Sequence, residues 1–411
     1  MANIVSVRRL AWSDPDLGSI PMPKRPMRVR AGFGSALAVR DGEPAGTVWA
    51  LCDRGPNLKA DTASELYGLE LGLAGKNGAK IMPRLDLGPS IAELRVGEDA
   101  VELVRVIRLT DGQGCGVPGV PMAASAHAVA EPAFDLSGER LQPQPGGADS
   151  EGLTALLDGG FWVGDEYGPS LLKVDAEGRV VLRWVAQGAP VELESGYPVL
   201  QILPPLAGRR QINRGFEALA LSADERWLYL AFQSPLAHPD EEAHEGGSHV
   251  RIWQIDASSG LVASQFIYPL DPPESFRRDC AKGKFGRSDI KVSEIACAGE
   301  GALLVLERGS ETTKIYRVRL EPKLAAPLEH LDVATRPTLE ELSAGDSFAL
   351  PVLSKTLLLN TDDHPQMASD QEGMALLSPS ELLLVNDNDF GMEGAETSFW
   401  RIAFDAPLTR D

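Results

Sequence analysis

Only four cysteines occur in 411 residues, Cys52, Cys115, Cys280 and Cys297, and no two form a CxxC pair. The chain therefore offers neither a zinc knuckle nor a disulfide scaffold, and free thiols are expected. Histidine is also scarce. His127, His238, His244, His249, His330 and His364 lie outside the repeated phrases described below, which leaves a histidine nucleophile or base without support. No run of about 18 apolar residues is present, and the apolar stretch before Asp16 is broken by Arg8 and Arg9, too short for a signal-peptide core. The expectation from these absences is a soluble, cytoplasmic protein with no membrane partner. Basic residues are in deficit, 39 against 59 acidic, for a net charge of −20. Unaided binding to nucleic acid or to an anionic membrane is disfavoured. No GxSxG elbow, GxxxxGK[ST] loop or strand-linked GxGxxG is found, which argues against a serine α/β-hydrolase and the common nucleotide-binding folds.

Turn residues are plentiful, with 41 Gly and 30 Pro, and between them stand runs of five to eight apolar or alternating residues. Long helical periods are few. This is an all-β pattern of many short strands. The clearest unit runs from Glu151 to Val185 as EGLTALL, GFWVGDEYG and SLLKVDAEGRVVLRWV, with a hairpin turn at Asp175–Gly178. Its opening returns as EALALSADERWLYLAFQ from Glu217, SEIACAGEGALLVLERG from Ser293 and EGMALLSPSELLLVNDND from Glu372, and more weakly as SALAVRDGEPAGTVWALCDRG from Ser35.

Units of four strands with variable insertions predict propeller blades. Third and fourth strands are expected at 90–96 and 101–109, at 249–256 and 261–270, and at 314–320 with 355–361. The last unit ends at 397–405, one strand short, and residues 3–12 could supply that strand and close the ring. Five units are visible, and a sixth blade would have to lie in 110–150 or 320–360. The whole chain, 1–411, reads as one propeller domain with polar surface insertions at 141–150 and 237–248. Phe161, Trp162, Trp227, Tyr229 and Trp400 fall within strands and read as core.

In a propeller, repeated positions become a ring around the axis. Glu151, Glu217, Glu294 and Glu372 open the units, while Asp53, Asp165 with Glu166, Glu307, and Asp387 with Asp389 close the second strands. Carboxylates brought together carry raised pKa values or need a counter-cation, and oxygen-only ligands fit calcium best. Each glutamate could instead bond to neighbouring backbone amides as a blade fastener. Arg54, Arg214, Lys291 and Arg308 stand beside these acids and could hold a phosphate, or could serve as ordinary ion pairs between blades.

The phrases FWVGDEYGPSLLKVDAEGRV (161–180), NRGFEALALSADERWLYLAFQSPL (213–236), KVSEIACAGEGALLVLERG (291–309) and DQEGMALLSPSELLLVNDNDFG (370–391) resemble the phytase-like domain, also described as esterase-like activity of phytase. With the weaker first copy the likeness spans roughly 32 to 405. The resemblance implies a propeller related to calcium-dependent phytases, with phosphoester hydrolysis in which bound metal activates the attacking water. Carried onto this sequence, Asp53, Glu151, Asp165, Glu217, Glu294, Glu307, Glu372 and Asp387 are candidate calcium ligands. Arg54, Arg214, Lys291 and Arg308 are candidate substrate-binding residues, and Glu217 and Glu166 the candidate catalytic groups. Gln233 stands where Glu307 stands in the next unit, so the acidic ring is not uniform. The expected partner is a small phosphate or other ester. A calcium-dependent esterase or lactonase and a non-catalytic propeller that binds a protein remain open.

Overall fold

A computed structural model describes residues 2–73, 78–123, 130–189, 196–344 and 349–409; His127 lies outside the described residues. Five antiparallel sheets follow one another along the chain as blades. Blade 1 takes Ala36–Ala38, Thr47–Cys52, Ser90–Val96 and Val101–Arg108, and blade 2 takes Ser150–Ala155, Phe161–Asp165, Ser170–Val174 and Val180–Ala186. Blade 3 takes Phe216–Leu221, Trp227–Phe232, His249–Asp256 and Val262–Pro269, and blade 4 takes Lys291–Cys297, Ala302–Arg308, Thr313–Arg319 and Lys355–Asn360. Blade 5 has three strands from the C-terminal region, Gln371–Ser378, Glu381–Asn386 and Phe399–Phe404. Its fourth is the N-terminal Ile4–Leu10, paired antiparallel from Ile4 opposite Phe404 to Leu10 opposite Phe399. Asn3 adds hydrogen bonds to the Asp405 carboxylate, 2.7 Å from its backbone N and 2.9 Å from its side chain.

The first strands of the blades touch in the order 1, 2, 3, 4, 5 and back to 1, which closes a five-bladed ring. Neither candidate stretch supplies a sixth blade among the described residues. Residues 355–360 complete blade 4, and 110–150 contributes only the short strand Ala133–Phe134 before blade 2 begins at Ser150. Blade 2 gains a fifth, parallel strand, Val199–Leu203.

Alternating side chains of adjacent blades interdigitate, so the core lies between sheets. Trp162 packs on Trp184 with ring centroids 4.4 Å apart, and Phe232 meets Trp253 edge-on at 4.9 Å. Phe161, Trp162, Tyr229 and Trp400 are buried as expected of core, whereas Trp227 is half-buried at one end of the channel. Burial of each large apolar side chain contributes about 1.5–3 kcal/mol, which is why the blades stack although each alone would leave two faces wet.

Residues 237–248 are not the solvated loop that their polarity suggested. Asp240 caps a helix at Glu241–Gly246 by accepting from Ala243 N at 3.1 Å, and the segment packs on the helix Leu339–Ala344. His238 and His244 are both buried there, His244 Nδ1 lying 2.7 Å from the Pro235 carbonyl oxygen. The 141–150 insertion divides: its first half is exposed, while Gly147–Ser150 is buried and leads into blade 2. Among the described residues no helix is long and apolar enough to cross a membrane.

A small three-stranded sheet of Leu58–Lys59, Lys80–Ile81 and Ala133–Phe134 sits beside one end of the channel, with the helix Ala60–Tyr67 against it. Tyr67 ties this insertion to blade 5 by donating to the Met392 carbonyl oxygen.

Candidate metal and anion site at the channel mouth

A β-bulge, one unpaired extra residue that redirects its side chain, recurs where the inner strands of blades 2 to 5 enter their sheets. In blade 2 the register jumps from Ser150 opposite Asp165 to Gly152 opposite Gly164, leaving Glu151 as the bulged residue. By the same test Glu217 and Glu372 are the bulged residues of blades 3 and 5. Blade 4 differs. Its jump lies between Val292 and Glu294, so Ser293 takes the bulge, and Glu294 takes the place that Gly152, Ala218 and Gly373 hold elsewhere.

That one-place shift explains where Glu294 goes. Its neighbours at this level are small because the strands crowd together; a Cβ on Gly373 would lie 3.1 Å from the Ala36 carbonyl carbon. Glu294 extends from blade 4 and accepts the Leu37 N–H of blade 1 at 3.1 Å. It is fully buried, and desolvation raises its pKa well above normal. Glu294 is a fastener inside the channel and does not join the carboxylates at the mouth.

Pairing also sorts the second-strand acids. Asp165, Phe232, Glu307 and Asn386 stand opposite the residue before each bulge, and the next residues, Glu166, Gln233, Arg308 and Asp387, with Asp53 of blade 1, end their strands one step on. Because successive side chains alternate, the two sets have different fates. Asp165 accepts from Asp149 N at 2.9 Å, Ser170 Oγ at 2.7 Å and Arg183 Nη2 at 2.8 Å, and also from Tyr167 N and Gly168 N. Glu307 accepts from Tyr268 Oη at 2.7 Å, Asp271 N at 2.8 Å and Lys355 Nζ at 2.7 Å. With their oxygens so occupied, Asp165 and Glu307 hold blades together and stand outside the ligand set. Gln233 aligns with Arg308, not with Glu307.

The other set converges. Oxygens of Asp53, Asp149 and Glu151 all lie within 4.8 Å of one another. Asp149 is completely buried, and among the described residues neither of its side-chain oxygens has a hydrogen-bond partner. Its Oδ2 is 3.0 Å from Arg54 Nη1, close enough for an ion pair but not aligned for a hydrogen bond. Burial pushes Asp53 up to about 6 against the pull of Arg54, with Asp389 adding to the rise. It also raises Glu151, where Asp149, Glu217, Asp53 and Glu166 reinforce the effect. Asp387 is raised by burial and then by Asp389 and Asp53. Glu217 is pushed up to about 7, first by burial and then by Glu166. One of its oxygens accepts from Gln233 Nε2 and Ser293 Oγ, and the other, Oε2, is buried without a partner among the described residues.

Orphaned buried carboxylate oxygens with no histidine or cysteine among them fit a hard divalent cation, and calcium suits such a set. Asp53, Asp149 and Glu151 would hold it, with Asp387 beside them.

Blade 4 faces this acidic arc with the opposite sign. Lys291 occupies the position of Asp149 and Asp370, Ser293 that of the three glutamates, and Arg308 that of Glu166 and Asp387. Arg308 donates to Ser293 Oγ at 2.8 Å and pairs with Asp370 and Glu372. Lys291 is pushed down to about 7, chiefly by Arg308, then by burial and Arg214. Among the described residues no hydrogen bond or ion pair engages its ammonium, and Arg214 Nη1 is likewise buried without a partner. Arg54, by contrast, is spent on structure. Its guanidinium bonds Glu131, Tyr167 Oη at 3.2 Å and Asn213 Oδ1 at 2.8 Å.

Asn213, Asp370, Asp389 and Phe390, all at this mouth, have φ between 46° and 58°. Non-glycine residues in that region carry strain, which collects at functional sites.

Sequence reasoning missed Asp149 and Asp370, together with Lys80 and Glu131 from the insertions, and named Asp389 only beside Asp387. A signal existed for Asp149 and Asp370. Asp149-Ser-Glu-Gly and Asp370-Gln-Glu-Gly repeat one spacing in blades 2 and 5. Lys80 and Glu131 lie outside every repeat, and only folding brings them near Arg54, Asp149 and Asp389.

Residues 30–390 match the phytase-like family described as esterase-like activity of phytase. The chain belongs to that family. An uncharacterized secreted protein of Arthroderma benhamiae is 29% identical, the match covering 70% of this chain and 62% of the relative, so the chain spans less than two thirds of that protein's length. A relative described as secreted overturns the cytoplasmic expectation, which rested on the want of a leader-like segment. Among solved structures, the PQQ-bound aldose sugar dehydrogenase of Streptomyces coelicolor is similar at 12% identity and TM-score 0.36, covering 98% of both chains. The RRP9 WD40 repeats are similar at 9% identity and TM-score 0.39, covering 98% of this chain and 99% of theirs.

Proposed function

We propose that this member of the phytase-like family is a secreted, calcium-dependent hydrolase of phosphate esters, working at the carboxylate-rich mouth of its channel. One observation carries the reading: the Asp53, Asp149 and Glu151 cluster of blades 1 and 2, with the Asp149 carboxylate not hydrogen-bonded, shares the mouth with Lys291 and Arg214 Nη1, which have no hydrogen-bond partner among the described residues. Alone, either half has a plain structural explanation. Together they suit a ligand that is itself anionic and needs a counter-cation, as a phosphate does.

Calcium bound by Asp53, Asp149 and Glu151 would supply neutralisation of the phosphoryl oxygens. Lys291 and Arg214 hold the remaining oxygens and stabilise charge that grows as the ester bond breaks. Glu217 Oε2, lacking a hydrogen bond and with a pKa near neutrality, is placed to take a proton from an attacking water. Burial, and after it Glu166, keeps that pKa high. As the water oxygen bonds to phosphorus, the phosphorus–ester oxygen bond breaks, and the ester oxygen leaves with the shared electron pair and takes a proton from solvent water. Arg54 positions Asp149 and does not contact substrate.

Release of phosphate from phytate and from an aryl phosphate, with calcium and after chelation, tests the reading. Calcium-dependent release from either is expected. Turnover of carboxylic esters or lactones without phosphate release would replace it with the other esterase chemistry, and no turnover on any ester would leave a binding propeller.

A further inference from the structure

The inner strands have a second end. Away from the carboxylates they surround a cavity of about 770 Å3 to which all five blades contribute. Two residues beyond Glu294 and its counterparts, the register sets Ala38, Thr154, Ala220, Ala296 and Ala375 at one level of the wall. Such small side chains leave a slender shaft. Leu157, Leu221, Leu376 and the half-buried Trp227 widen the opening and keep it apolar.

Charge on this wall has one sign. Asp41, Asp224, Glu225 and Glu300 line the cavity, and among the described residues no lysine, arginine or histidine does. Asp224 and Glu225 are partly occupied, accepting from Arg226 N and Leu157 N. Asp41 and Glu300 have no hydrogen bond or ion pair among the described residues. The neighbouring cation, Arg226, lies over the Trp227 ring at 4.5 Å. A second polar group points the same way: Thr154 lines the cavity, is 8% exposed, and its hydroxyl has no hydrogen-bond partner among the described residues.

We propose that this far cavity is a second binding site, for a small amphiphile with a linear apolar body and a single cationic head. The shaft of alanines admits a chain of methylenes and rejects a bulky ring. The carboxylate rim favours a positive head and disfavours a negative one. The site is independent of the phosphoesterase reading, since none of its residues belongs to the acidic mouth.

Calorimetric titration of the calcium-loaded protein with octylammonium, octanol and octanoate tests the proposal. Octylammonium is expected to bind most tightly and octanoate most weakly. The double variant D41N/E300Q should weaken octylammonium about three- to fivefold per carboxylate removed and leave octanol unchanged. Ala296→Leu, which fills the shaft, should abolish binding of all three; if it fails to fold, the rim variant still decides. Equal affinity for octanoate, no binding of any probe, or octylammonium binding that survives D41N/E300Q and disappears in D149N would overturn the proposal.

Discussion

Blade 4 and its fellows are built on one plan, yet at the channel mouth they carry opposite charge. Blades 2 and 5 present Asp149, Glu151 and Glu166, and Asp370, Glu372 and Asp387; blade 4 presents Lys291, Ser293 and Arg308 at the same stations. A ring with five acidic blades would attract cations only. One basic blade converts it into a site with two poles and supplies an internal counter-charge for Asp370 and Glu372. The repeat provides identical places, and the departure from it provides the chemistry.

Removing the departure is the strongest way to break this contrast. Lys291→Met should lower phosphate release by about 100- to 1,000-fold, the usual cost of losing one donor to a developing charge. Calcium affinity, measured by titration calorimetry, should rise or hold, because a nearby positive charge has gone. A drop in calcium affinity with activity intact would show that Lys291 serves the acids and not the substrate. Arg308→Met should cost about 3 kcal/mol in denaturant unfolding, since two acids lose their buried partner. No change would mean that the two acids are adequately solvated without it.

Asp149→Asn and Glu151→Gln should each weaken calcium by at least about tenfold. Asp165→Asn and Glu294→Gln should leave calcium affinity unchanged, although Glu294 looked equivalent to Glu151 in the repeat. Equal losses in all four would return Asp165 and Glu294 to the ligand set.

The smallest effect is in pH. Asp53 and Glu217 have pKa values raised to about 6 and about 7 from ordinary values of 3.8 and 4.5. A raised carboxyl pKa contributes stability that is present below the unfolded value and lost as pH rises through the folded one. Chelated protein should therefore melt at progressively lower temperature from about pH 4 to pH 7, and calcium should flatten that fall. A flat chelated profile would mean that the acids are already neutralised by Arg54, Lys80 and Arg308.

Much of the fold was legible because blade repetition leaves a repeated phrase. The five starts, the hairpin at Asp175–Gly178 and the closure of blade 5 by residues 3–12 all follow from strand-length apolar runs between turns. Residues 237–248 misled because polarity was read as solvation, whereas Asp240 caps a helix and both histidines turn inward. Glu151, Glu217, Asp53 and Asp387 were named from the repeat, and the fold gathers them at the mouth. Glu294 was misplaced because a bulge moves the frame by one residue without changing the motif: Ser293-Glu294-Ile295 looks like Ser150-Glu151-Gly152, and only the pairing with Glu307 and Leu306 distinguishes them.

The scarcity of cysteine and histidine by itself determined that any metal here meets oxygen. The excess of carboxylate determined that an anionic substrate would need help. Neither fact says where the charges stand. Tertiary structure decided that, because a strand's side chains alternate between faces and one unpaired residue inverts the alternation. Of two adjacent acids, Asp165 becomes a buried fastener and Glu166 lies beside Glu217 at the mouth.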